Sequence, residues 1–107
     1  MALVKKIAER IRKEVLKLDN VKEGVSRFGS RPSFSVEGRE FAHFHNDEEL
    51  DIRLPFKENK VENAHRNPYT NAWLILDVKS EEDATVALQL IKTAYKRVIN
   101  EKKHAYG

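Results

Sequence analysis

Two imidazoles stand two residues apart in Glu40-Phe-Ala-His-Phe-His45, with a carboxylate on either side of them, Glu40 before and Asp51 after. Residues i and i+2 of a strand share one face, so His43 and His45 can act together. Imidazole serves as a general base near neutral pH and as a ligand for zinc, iron or copper. Two chemistries follow. In the first, His43 is a base or ligand that Glu40 or Asp51 orients. In the second, His43 and His45 hold a metal ion whose shell is completed by His65 or by a carboxylate. Arg53, two residues beyond Asp51, would add a cation to the same strand face. The candidate cluster is therefore Glu40, His43, His45, Asp51, Arg53 and His65, with His43, His45 and His65 as the metal candidates. A plainer account stands beside each. An inward histidine is more often a hydrogen-bonded core residue, and an outward one is usually just solvated. His-x-His without a third ligand fixed by spacing is weak evidence for a metal.

Other motifs are missing. The chain lacks a Gly-rich phosphate loop, a GxSxG elbow, an HExxH helix and a dinucleotide fingerprint, so no cofactor is indicated by motif. Ser33 or Ser35 with His43 and Asp51 supplies the residue types of a Ser-His-Asp site, although nothing marks an activated serine. The absence of cysteine excludes disulfides, thiol nucleophiles and cysteine zinc sites. Trp73, Phe41, Phe44 and Tyr69 could stack bases, but their spacing fits core packing better.

The elements that would position these groups are read from apolar periodicity. Leu3, Val4, Ile7, Ala8, Ile11, Val15 and Leu18 fall at steps of three and four, which predicts a helix over 2–18 closed by Asp19-Asn20. Ser80 is an N-cap, Glu81, Glu82 and Asp83 fill the first turn, and Ala84, Ala87, Leu88, Ile91, Ala94, Tyr95 and Val98 form a second stripe. Between the helices, residues 25–29, 33–37, 40–45, 50–54 and 72–78 read as strands, and the polar, proline-bounded run 55–71 reads as a loop. The expected fold is α+β, a two-layer α/β sandwich ordered α-β-β-β-β-β-α, with both terminal helices on one face of an antiparallel sheet. At 107 residues, 1–107 is expected to form one domain.

Which face carries the histidines depends on turn lengths. A two-residue Gly38-Arg39 turn and a four-residue loop over 46–49 put His43 and His45 with Phe34, Val36, Leu50, Ile52 and Leu54, towards the helices. This even register is preferred for its turn chemistry. Odd loops would instead put Ala42 and Phe44 inward and leave Phe41, His43, His45, Asp51 and Arg53 on the open face.

The net charge is +3, with Lys5, Lys6, Arg10, Arg12, Lys13 and Lys17 in the first helix and Lys92, Lys96, Arg97, Lys102 and Lys103 in the second. Alternating with apolar positions, they read as solvated helix faces before they read as a nucleic-acid footprint. No 18-residue apolar run and no signal peptide are evident, so a cytoplasmic protein without membrane contact is expected. Abundant Lys and Glu with scarce Met fit a heat-adapted source.

The stretch Gly38 to Pro55 (GREFAHFHNDEELDIRLP) resembles the small luciferase-like domain family, a domain of unknown function whose members carry a Glu-Phe-Ala-His-x-His segment and an alternating strand ending in Leu-Pro. The similarity runs over roughly residues 30–99 and takes in His65, Trp73 to Val78, Glu81 to Asp83 and Ala94-Tyr95. Asp51 stands where the family often has a further histidine, and the connection before His65 is short. The resemblance implies the helix–sheet arrangement but no light emission, because no luciferin-binding or oxygen-handling motif falls on these residues. More distantly, the layout is similar to the double-wing proteins with a frataxin-like fold, a group associated with DNA binding, although fold likeness alone does not transmit function and the acidic first-helix ridge of frataxin is absent. The expected function is a non-catalytic binding or interaction module using the sheet face or helix–sheet rim around His43 and His45. The alternatives are a small His/carboxylate-dependent enzyme or metal-binding protein, and a nucleic-acid-binding domain. A homodimer through the open sheet face is the expected self-association.

Overall fold

A computed structural model of the protein describes residues 2–25 and 31–106. The first apolar stripe folds as helix α1 (Ala2–Val15), with Ile7, Ile11 and Val15 fully buried. It ends a turn earlier than its stripe. The N–H groups of Lys17 and Leu18 donate to the carbonyls of Glu14 and Val15, three residues back, and Asn20 takes a left-handed φ of 64°. Helix α2 (Glu81–Tyr106) begins where its cap demands. Ser80 Oγ accepts from the Asp83 N–H at 3.1 Å, and the Asp83 carboxylate accepts from the Lys79 N–H at 2.9 Å. Its buried residues Ala84, Ala87 and Ala94 are small, which lets the helix lie close to the sheet beneath. Tyr95 ties α2 to the sheet and to the turn after α1: its ring meets Phe41 edge-on at 5.7 Å, and its hydroxyl donates to the Asp19 carbonyl at 2.7 Å.

Six strands form the sheet: β1 (Val21–Val25), β2 (Pro32–Val36), β3 (Arg39–Asn46), β4 (Glu49–Ile52), β5 (Ala64–Arg66) and β6 (Leu74–Asp77). Their spatial order is β1-β2-β3-β4-β6-β5, antiparallel throughout. The α+β sandwich is as expected, with one strand more. The extra strand is β5, three residues long, inside the run expected to be a loop. The described first strand is Val21–Val25; most of the expected strand 25–29 lies outside the described residues. Phe34, Val36, Leu50, Ile52, Leu74 and Leu76 point from the sheet into a core shared with both helices. No helix among the described residues is long and apolar enough to cross a membrane.

The even register is overturned at β3. The β2–β3 turn is Glu37-Gly38, one residue earlier than expected, with positive φ at both residues (52° and 81°) and Val36 opposite Arg39. This is the type I′ geometry that suits a right-twisted hairpin. A bulge then follows: Ser35 pairs with Glu40 and Phe34 with Ala42, leaving Phe41 as the extra residue. A bulge lets neighbouring residues serve one side, so Phe41 and Ala42 are both fully buried. From Ala42 onward the alternation runs in the opposite phase. A second irregularity between Phe44 and Asn46 leaves His45 unpaired before the turn to β4. The expected pairs His45–Leu50 and His43–Ile52 are thereby replaced by Phe44–Leu50 and Ala42–Ile52. The turn is held by Asn46, whose Oδ1 accepts from the Glu48 N–H at 2.8 Å and whose amide donates to Glu49.

Candidate functional site

With Ala42, Phe44, Leu50, Ile52, Leu74 and Leu76 inward, the residues between them face the other way. Register places Ser33, His43, Asp51, Ile75 and His65 directly opposite one another on successive strands, forming one row across the outer face. His43 is central and covered, its side chain only 14% exposed, with the Trp73 ring tilted against it at 5.2 Å between centroids. Its Nε2 lies 2.7 Å from Asp51 Oδ2, and the Asp51 side chain is only 9% exposed. His45 reaches the same oxygen from the bulge, Nδ1 at 3.5 Å, but its ring is 57% exposed. Glu40 Oε1 approaches His43 Nδ1 to 3.3 Å without the alignment of a hydrogen bond.

Two polar atoms of this cluster are buried without a hydrogen-bond partner, His43 Nδ1 and Asp51 Oδ1. Most buried polar groups are paired, so two orphans on one ion pair set this cluster apart. The electrostatics are set by opposing effects. Burial alone would push the His43 pKa down, but the hydrogen bond and charge of Asp51, reinforced by Glu40, outweigh it and hold the ring above its ordinary value. Chemically, the arrangement offers a donor at a protonated Nδ1 and an acceptor at Oδ1, close together beside an indole.

Of the expected residues, the fold therefore gathers Glu40, His43, His45 and Asp51. Arg53 lies just past the end of β4, half-buried, and takes no ion-pair or hydrogen-bond partner with its side chain among the described residues. His65 is not brought in. Ile75 separates it from Asp51 in the row, which at about 4.8 Å per strand puts it roughly 10 Å away. It pairs instead with Asp77, Nε2 to Oδ2 at 2.7 Å. A metal bound to imidazole needs ligands at about 2.0–2.1 Å, so His65 cannot complete a shell with His43 and His45 in this arrangement. Among the described residues, no group of three or more His, Cys, Asp and Glu is arranged to hold a metal ion. Sequence reasoning missed Asp77 and the place of Trp73 over His43. Alternation in Trp73-Leu-Ile-Leu-Asp77, with Leu74 and Leu76 inward, was the available signal for both.

The profile of the luciferase domain family matches residues 38–94, more than half of the chain, and the chain belongs to that family. Comparison with curated proteins gave no match. The matched segment runs from the β2–β3 turn into α2 and so contains His43, Asp51, Trp73 and both His–Asp pairs.

Proposed function

We propose that this luciferase-domain chain, folding as a single domain, is a binding module whose contact surface is the outer sheet face around His43 and Asp51. The observation that carries this reading is the pair of orphaned atoms, His43 Nδ1 and Asp51 Oδ1, on the face that the helices leave uncovered. A small polar group that accepts from one and donates to the other would satisfy both, and Trp73 would supply the flat apolar wall. Glu40 and His45 are the adaptable rim. The test is an NMR screen of small amides, carboxylic acids and alcohols, following the His43 ring and the Trp73 indole. Ligands that move both resonances, and lose that effect in Asp51→Asn, bear the proposal out. Hits that cluster elsewhere, or a crystal structure with one ordered water bonded to both orphans, would sink it.

A second reading is favoured by one observation. Ser33, His43 and Asp51 are consecutive across three strands, and the Asp51 bond fixes the imidazole through Nε2 while leaving Nδ1 free. His43 would then act as a general base, with Asp51 as its orienting partner. No hydrogen bond yet joins Ser33 to Nδ1. Covalent labelling of Ser33 by an activated phosphonate ester, abolished in His43→Gln, is the outcome that this reading requires.

A further inference from the structure

Most of the arginines are matched by carboxylates. Arg12 bonds Glu23 at 2.7 Å and Glu9 at 2.9 Å, Arg31 bonds Asp47 at 2.7 Å, and Arg97 lies 3.5 Å from Glu101. One group of cations is different. Between the 3-10 turn at Phe56–Glu58, strand β5 and the loop that follows it lies a cleft of about 240 Å³. Lys57, Lys60 and Arg66 line it together with Phe56, Asn67 and Asn71, and no carboxylate does. Glu58, the acid nearest in sequence, is turned towards Arg97 at 3.8 Å. None of the three cations has an ion-pair partner among the described residues; Lys60 instead stands over the Phe56 ring, 5.9 Å from its centroid. Three cations with amide groups and no acid make a receptor for a doubly or singly charged oxyanion.

A second feature sits on the same loop. Tyr69 is 94% exposed, an apolar ring with nothing packed on it, and it shares its surface with Arg66, Asn67 and Asn71 of the cleft. The loop presents it by construction. The Tyr69 N–H donates to Asn67 Oδ1 at 2.8 Å, and the Ala72 N–H donates to Thr70 Oγ1 at 3.1 Å, which close turns on both sides of the ring. A cationic cleft beside a free aromatic face is the pairing that phosphate and base of one nucleotide require.

We propose that this cleft binds a nucleotide unit, with the phosphate on Lys57, Lys60 and Arg66 and the base stacked on Tyr69. The site is independent of the outer-face reading, because neither His43 nor Asp51 lines it. It also relocates nucleic-acid contact from the helix cations to a loop. The unit belongs either to a free nucleotide or to a single strand, and the probes separate the two.

The experiment titrates the full chain at low ionic strength with inorganic phosphate, adenosine monophosphate and a short oligothymidylate, read by NMR and by fluorescence anisotropy. Phosphate should move the Lys60 and Arg66 signals but not the Tyr69 ring, whereas the nucleotide and the strand should move all three. Lys60→Gln/Arg66→Gln should weaken every probe by about tenfold or more, and Tyr69→Ala should weaken the base-bearing probes by about tenfold while sparing phosphate. If a strand is the natural source, it binds far more tightly than the mononucleotide, with a log–log salt slope steeper than the about −0.7 that one phosphate contact on a single strand gives. Equal affinity assigns the free nucleotide. If Arg66→Gln disturbs β5, Lys57→Gln/Lys60→Gln carries the same test from outside the strands. The proposal is overturned if no probe shifts these residues, if the charge variants bind as well as the parent, or if Tyr69→Ala leaves base-bearing probes unaffected.

Discussion

The outer face carries the same ion pair twice. His43–Asp51 and His65–Asp77 both bring Nε2 to within 2.7 Å of a carboxylate oxygen, and both sit on paired antiparallel strands. They differ in what surrounds them. The first lies on central strands β3 and β4 beneath Trp73; the second lies on edge strand β5 and its neighbour, with a half-exposed ring. Distance therefore does not rank them. Water dissipates the attraction of an exposed pair, whereas a covered pair is strong, costly to break and short of partners. Only the covered pair leaves buried atoms unsatisfied. The proposed contact surface centres on the pair that water does not serve.

The comparison is most sharply broken by removing each carboxylate. Asp51→Ala leaves a covered imidazole without its partner and should cost about 3 kcal/mol in urea unfolding. Asp77→Ala should cost less than about 1 kcal/mol. Equal costs would show that position in the sheet does not matter. Next in size is the response to pH. The His43 pKa is raised in the folded state, so the pair contributes in full below the unfolded value of about 6.5, and that contribution is lost as pH rises through the folded value. Unfolding measured against pH should show this loss in the parent and not in His43→Gln. In Asp51→Asn, where burial acts with less opposition, the His43 ring should titrate lower than in the parent, which NMR can follow directly.

Gly38→Ala tests the turn that sets the register. Nothing lies within 4 Å of an added Cβ, so the penalty arises from φ +81° alone and should be about 1 kcal/mol. His65→Gln is the smallest expected change, within about 0.5 kcal/mol, and leaves the His43 titration where it was.

The inner face was legible in the sequence because its signals repeat. Ile7, Ile11 and Val15 recur at helical spacing, Leu74 and Leu76 alternate, and the Ser80 cap with its acidic first turn located the start of α2 to the residue. The composition of the candidate cluster was legible too, since Glu40, His43, His45 and Asp51 do converge. The face that carries them was not. It depends on a turn shifted by one residue, with Glu37 accepting the left-handed conformation usually left to glycine or asparagine, and on an unpaired Phe41 that looks like any other strand residue. Periodicity registers neither. Strand β5 escaped for a different reason: three residues, two of them exposed, give alternation nothing to repeat.

The two irregularities of β3 also change how the strand answers to genetic change. Phe41 acts like an inserted letter that the bulge absorbs, so that the side chains after it stay in step with β2, and His45 is a second such letter before the turn. Loss of the Phe41 codon would thus close the bulge and keep Ala42 opposite Phe34 and both imidazoles on the outer face, whereas Phe41 drawn into regular alternation, without the bulge, would turn them towards the helices. Chains of equal length that share the Glu-Phe-Ala-His-x-His letters would present them on opposite sides of the molecule if one bulged at the phenylalanine and the other did not. Kinship of function among such proteins is better judged by whether the strand bulges between the turn and the first histidine than by the histidines themselves.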